Sequence, residues 1–217
     1  MQKILDLKKI NSLLLIVAIY VILSLISNYI FVSYTILSQW YEGILTQTQI
    51  HETVTIAKKW EWGIILLNVL IVFIRISFVS SCLYLGLFFF FEKYNSFNSY
   101  KISFNVALKA EIVLLLYSIV RLLWFGIIHI PESPEEMNVM PLSLMHFFDP
   151  ATIEPWLIYP LNTFNVFEVF YVWMLSALMA VAIQTKFRKA FEIVFVSYGA
   201  GLLLLMVAQM FLILNNT

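Results

Sequence analysis

Five apolar runs, at 12–37, 63–91, 104–130, 165–185 and 191–214, dominate this chain, and each is about long enough to cross a ~30 Å hydrocarbon layer as a helix. Lys and Arg sort by side between them. One side carries Lys3, Lys8 and Lys9, then Lys93, Lys101 and Lys109, then Lys186, Arg188 and Lys189. The other has only Lys58 and Lys59, with nothing basic in 131–163. Loops that stay in the cytoplasm retain Lys and Arg, so the N-terminus is expected inside and the C-terminus outside.

With 62% hydrophobic and 12% charged residues, the chain lies far from soluble domains, which are roughly 45–50% apolar and ~25% charged. The expected fold is all-α, a polytopic membrane helix bundle forming one integral membrane domain over 1–217. A formal net charge of zero hides a sorting by side. The outer segments hold Glu42, Glu52, Glu61, Glu132, Glu135, Glu136, Asp149 and Glu154 against two lysines, a net of six negative charges. That argues against a polyanionic outer ligand, and nothing points to nucleic acid. The single cysteine, Cys82, lies in an apolar run, which excludes an internal disulfide and a cysteine metal site.

Lys8-Lys9 before Leu13–Leu23 resembles the start of a secretory signal, but the run continues to Leu37 with no A-x-A-like cleavage site. It reads as an uncleaved signal anchor. In the outer segment 38–62, Ile50, Val54 and Ala57 recur at helical spacing among polar residues, bracketed by Trp40, Tyr41, Trp60 and Trp62. A short helix on the membrane surface, anchored by rings that favour the headgroup level, is one reading. An ordinary loop with aromatic anchors is the other. The short inner loops near 92–103 and 186–189 make hairpins of the second and third crossings and of the fourth and fifth.

All six prolines (Pro131, Pro134, Pro141, Pro150, Pro155 and Pro160) fall in the outer segment 131–163. Proline removes a backbone donor and breaks continuous helix, so no full crossing is expected there. Leu142, Leu144, Phe147, Phe148 and Trp156 to Tyr159 are nonetheless too apolar for a free loop. One or two short helices, resting on the outer surface or dipping into the bundle, are expected.

Arg75 and Arg121 lie inside the second and third runs, where a charge is costly and normally faces the bundle with a partner. Counting ~1.5 Å per residue brings Glu111 towards the level of Arg75, and makes Glu168 the nearest acid to Arg121. Two interhelical pairs, Arg75–Glu111 and Arg121–Glu168, are expected. They either hold the bundle together or relay protons or substrate. Asn68, Gln184 and Gln209 are expected in interhelical hydrogen bonds. Ser176-Ala177 with Ala180, and Ser197 with Gly199 and Gly201, would let the last two helices approach closely, or mark a self-association face.

All three histidines, His51, His129 and His146, fall on the outer side, with Asp149 three residues after His146. Imidazole and carboxylate suit zinc or a similar ion. The three histidines come from separate segments with no paired ligand motif, so chance placement in polar loops accounts for them equally. G-x-S-x-G, Walker-type and G-x-G-x-x-G sequences are absent, and Cys82 reads as a buried, inert thiol. An enzyme is disfavoured and no cofactor is expected.

Three stretches carry a resemblance: Ser96-Phe97 to Val106–Glu111, Leu161-Asn162-Thr163-Phe164-Asn165-Val166-Phe167-Glu168, and Lys186-Phe187-Arg188-Lys189-Ala190-Phe191-Glu192. Over about 65–214 the chain resembles the Yip domain family, the Ypt-interacting proteins and their bacterial relatives, in which an lN-x-F sequence opens a helix and a short basic turn opens the last one. The resemblance implies five crossings. Eukaryotic members have a long cytosolic N-terminus and a D-L-Y-G-P motif, and partner small GTPases in vesicle traffic. The motif is absent here and only about ten residues precede the first run, so the similarity is to the bacterial relatives, with the bacterial cytoplasmic (inner) membrane as the expected location.

The function expected from these features is non-enzymatic. The protein would act through lateral contacts with lipid, with other membrane proteins or with further copies of itself in a homo-oligomer. The alternatives are a small transporter or transporter subunit with 131–163 capping an outward-facing cavity, and a membrane enzyme using the outer histidines.

Overall fold

The structure, a computed structural model, describes residues 2–31, 34–41, 44–91, 97–129, 131, 133, 136–149 and 152–215, with the backbone alone at 2–11, 34, 35, 37, 97 and 138. Glu42, Lys93, Ser96, Glu132, Pro134, Glu135 and Pro150 lie outside these residues, as do the side chains of Lys3, Lys8 and Lys9. The fold is helical: α1 (Gln2–Phe31), α2 (Tyr34–Trp40), α3 (Gln47–Lys59), α4 (Glu61–Phe90), α5 (Phe97–Leu123), α6 (Pro155–Thr163), α7 (Val166–Ala182) and α8 (Phe187–Leu214). Among the described residues the sole β feature is an isolated antiparallel bridge between Ser143 and Asn165.

Among the described residues four stretches are long and apolar enough to cross a membrane: Ser12–Phe31, Glu61–Phe90, Asn98–Ile128 and Phe187–Leu214. The first apolar run is divided between α1 and α2, yet Ser12–Phe31 alone supplies the 20 residues that a span of ~20 residues requires. The fourth run differs most from expectation. α7 has 17 residues, about 25 Å at ~1.5 Å per residue, and α6 precedes it across the two residues Phe164 and Asn165. Both α6 and α7 pack against α8. Pro160 sits inside α6 without ending it. Pro155 fills the first turn, where its missing N–H would have had no helical partner.

The chain groups into two compact units, Met1–Phe73 with Ser118–Asn138, and Ile74–Tyr117 with Val139–Thr217. In the first, α3 begins at a capping box. The Thr46 backbone N–H donates to Gln49 Oε1 at 2.8 Å, and the Gln49 N–H donates to Thr46 Oγ1 at 3.4 Å, satisfying donors that the first turn leaves unpaired. The spacing of Ile50 and Val54 puts both on one face; both are buried, and α3 packs against α2. Asn68 Nδ2 donates to Ser24 Oγ at 2.9 Å, joining α4 to α1. Phe31 meets Phe125 edge-on, and the Trp40 indole donates to the Pro131 carbonyl at 2.7 Å.

The second unit has its core on matched helical stripes. Ile76, Val79, Leu83 and Leu87 on α4, Ala107 and Ala110 on α5, Leu175 and Met179 on α7, and Ala190, Ile193 and Val194 on α8 are all buried to 1% exposure or less. Their recurrence every three or four residues is the apolar face of a helix. The small residues of α8 are used differently from expectation. Ser197 and Gly201 face α4: a Cβ built on Gly86 would lie 2.7 Å from Ser197 Oγ, and one on Gly201 2.6 Å from Cys82 Sγ. Gly199 has nothing within 4 Å of a Cβ built on it. Small residues allow backbones to close together in this way.

Candidate functional site

In the second unit four helices each bring ionisable or hydroxyl side chains into one layer. Arg75 on α4 lies 14 residues past Glu61, and Glu111 on α5 lies 14 past Phe97. At ~1.5 Å per residue both are ~21 Å along their helices, near the middle. The Arg75 guanidinium is ion-paired with the Glu111 carboxylate, whose side chain is 0% exposed against 34% for the arginine.

The other half of the layer is built by the break between α6 and α7. Asn165 is the N-cap of α7, its Oδ1 accepting from the Glu168 N–H at 2.8 Å. Side-chain caps of this kind satisfy a first-turn donor. Glu168, in that first turn, accepts a hydrogen bond from the Tyr198 hydroxyl of α8 at 2.6 Å. Tyr171, one turn on from Glu168 and fully buried, meets the Tyr198 ring edge-on at 5.7 Å. Tyr117 of α5 meets Phe167 edge-on at 5.2 Å, which fixes the start of α7 beside α5.

The break itself is held by a second polar group. Asn162, at the end of α6, is buried, and its Oδ1 accepts from the Met140 N–H at 2.9 Å and the Ser143 hydroxyl at 3.3 Å. The Leu144 N–H donates to the Phe164 carbonyl at 2.9 Å, and the Val166 N–H to the Leu142 carbonyl at 3.3 Å. These bonds engage backbone groups that an interrupted helix leaves without intrahelical partners. Leu142 takes a left-handed φ of 60° to make the approach.

Arg75 and Glu111 are thus brought together, whereas Arg121 and Glu168 each have other partners. Arg121 donates to the Met137 carbonyl at 3.0 Å and stands over the Phe125 ring at 6.0 Å, within the first unit. Among the described residues neither Arg121 nor Glu168 takes part in an ion pair. His129 is 3.3 Å from Glu136 through Nε2, while His51 is exposed on α3 and His146 packs edge-on against Phe147. His146 and Asp149 are both exposed. Among the described residues no three His, Cys, Asp or Glu side chains are gathered to hold a metal, and the candidate ligands His51, His129, His146 and Asp149 are not brought into such a group. Gln184 lies past the end of α7, and Gln209 is exposed on α8.

Sequence reasoning missed Tyr198, Tyr171, Asn162 and Ser143. The spacing of Tyr171 three residues after Glu168 was visible and would have put both on one helix face. Nothing in the sequence pairs Tyr198 with Glu168. No protein-family model matches this chain, and neither does any curated protein or solved structure.

Proposed function

We propose that the chain is an integral membrane protein with five crossings, its N-terminus inside, and that it works as a small transporter or transporter subunit. α6 and α7 together form the interrupted fourth crossing. The observation that carries the reading is a second carboxylate: in addition to the Arg75–Glu111 ion pair, Glu168 in the first turn of α7 is held by the Tyr198 hydroxyl of α8 and by no base among the described residues. A pair that only holds helices together needs one acid for one base. A further carboxylate at such depth costs several kcal/mol or more and marks a functional group by default. Interrupted helices at the level of buried polar groups are also how many transporters build their sites.

Orientation rests on the lysine and arginine sorting. The resemblance to bacterial relatives of the Yip domain family is supported by two local features: the break follows Leu161-Asn162-Thr163-Phe164, and Lys186 is the N-cap of α8. We place the protein in the bacterial cytoplasmic membrane on that resemblance. Its large exposed apolar side chains, among them Leu203, Leu204, Val207 and Phe211 on α8, make lipid its first partner.

Cysteine accessibility tests the transport reading. In a Cys82→Ser background, single cysteines replace Leu175 or Val194, one turn from Tyr171 and Tyr198 and both fully buried. Alternating access predicts reaction with a small impermeant thiol reagent from either side of sealed vesicles. If neither position reacts from either side, transport falls, and the bundle serves through lateral contacts with lipid or membrane proteins.

A further inference from the structure

The polar layer contains one fixed positive charge and two carboxylates. With both acids ionised it carries one net negative charge where uncompensated charge is costly. Arg75 is bound to Glu111, whose side chain is fully buried, so this pair is already neutral. The remaining acid is Glu168, and the group that touches it is a neutral phenol, the Tyr198 hydroxyl at 2.6 Å.

We propose that the layer takes up one proton, held on Glu168 and exchanged with water by way of the Tyr198 hydroxyl, so that the coupling ion of the proposed transporter is a proton. This rests on the transport reading above. A metal cation fits the same charge count poorly. Hard cations collect several oxygen ligands, whereas the side-chain contact at Glu168 is a single phenol hydroxyl. A proton needs a single oxygen.

Around this contact stand the titratable and charged groups of the neighbouring elements: Tyr198 from α8 on Glu168 itself, Tyr171 of α7 against the Tyr198 ring, Arg75 from α4 paired with Glu111 on α5, and Tyr159 on α6. Among them only Arg75 carries a positive charge, and it is engaged with Glu111. The step balances simply: the O–H bond of the Glu168 carboxyl breaks, the proton passes to water, and a carboxylate remains. A phenol hydroxyl both donates and accepts, so Tyr198 accepts from the acid form and donates to the carboxylate while itself remaining neutral.

Infrared spectroscopy of the full chain in nanodiscs, with isotopically labelled glutamate, tests this at neutral pH. The expected result is one carboxylic-acid C=O band that moves with the label and is lost in Glu168→Gln. Absence of the band, or its persistence in Glu168→Gln, overturns the proposal. Loss of the band when choline chloride is replaced by sodium chloride also overturns it, in favour of a metal cation. Should Glu168→Gln not fold, Tyr198→Phe decides: it removes only the hydroxyl, and the band is expected to shift. An unshifted band overturns the proposal. The two readings fail separately. Cysteine accessibility without the band removes the proton and leaves transport, whereas the band without accessibility keeps the proton site and removes transport.

Discussion

The guanidinium of Arg75 on α4 is ion-paired with the carboxylate of Glu111 on α5, and the two side chains are buried unequally, 34% exposed for the arginine and 0% for the glutamate. Removing one partner of a buried pair costs about 3–5 kcal/mol, because the other charge stays desolvated. The inequality sets the order. Arg75→Gln removes the guanidinium beside a carboxylate that has no solvent contact, whereas Glu111→Gln leaves an arginine long enough to reach outwards. Arg75→Gln is expected to be the more destabilising. The exchange of both residues is expected to recover part of the loss. Cys82 is buried and free, so a thiol-reactive fluorophore follows unfolding in detergent as that side chain is uncovered.

Glycine gives a sharper contrast, since two positions on one helix differ only in what faces them. A Cβ on Gly201 would meet Cys82 Sγ at 2.6 Å, and one on Gly86 would meet Ser197 Cβ at 2.8 Å, but one on Gly199 meets nothing within 4 Å. Overpacking costs about 1–3 kcal/mol, and Gly→Ala within a helix returns at most ~1 kcal/mol. Gly86→Ala and Gly201→Ala are expected to lower the melting temperature, and Gly199→Ala to leave it unchanged or raise it. A drop for Gly199→Ala as large as that for Gly86→Ala would remove the close α4–α8 approach as the cause. Because Gly201→Ala crowds Cys82 itself, its unfolding is followed by light scattering.

The break between α6 and α7 depends on Asn162. Its Oδ1 accepts from the Met140 N–H at 2.9 Å in a buried setting. A buried donor left without its acceptor costs about 1–3 kcal/mol. Asn162→Ala is therefore expected to destabilise by that amount, and Asn162→Asp, which keeps an acceptor oxygen at the same place, by less. Equal losses for the two would show that the acceptor is not what holds the segment.

How far the sequence could be read depended on which quantity it encodes. Rise along a helix is encoded, so counting residues brought Arg75 and Glu111 to one level. Partners outside regular helix are not. Arg121 finds the backbone carbonyl of Met137 in a 3-10 turn, Glu136–Asn138, and a carbonyl belongs to every residue type. Rotation about the helix axis was equally hidden. Ser197 and Gly201 were legible as small residues, but not as facing α4 in place of α7. Hydropathy marked the fourth run without its interruption. Phe164 and Asn165 are ordinary in composition, and the break is set by long-range bonds from Met140 to Leu144.

The last expectation concerns the turn between α7 and α8. Gln184 adopts φ 53°, a left-handed conformation that costs a residue with a Cβ about 1–2 kcal/mol. The Thr185 N–H donates to the Ala180 carbonyl at 3.0 Å and the Gln184 N–H to the Val181 carbonyl at 3.4 Å. That double return is the C-terminal motif in which glycine is the usual left-handed residue. The Gln184 side chain is exposed, so little packing is lost on removing it. Gln184→Gly is expected to stabilise the chain by about 0.5–1 kcal/mol, the strain relieved exceeding the added freedom of the unfolded backbone. Gln184→Ala keeps the Cβ and is expected to gain nothing. Thermal unfolding of the three proteins side by side checks this, and a gain for alanine matching that for glycine would locate the effect in the side chain and not in the backbone.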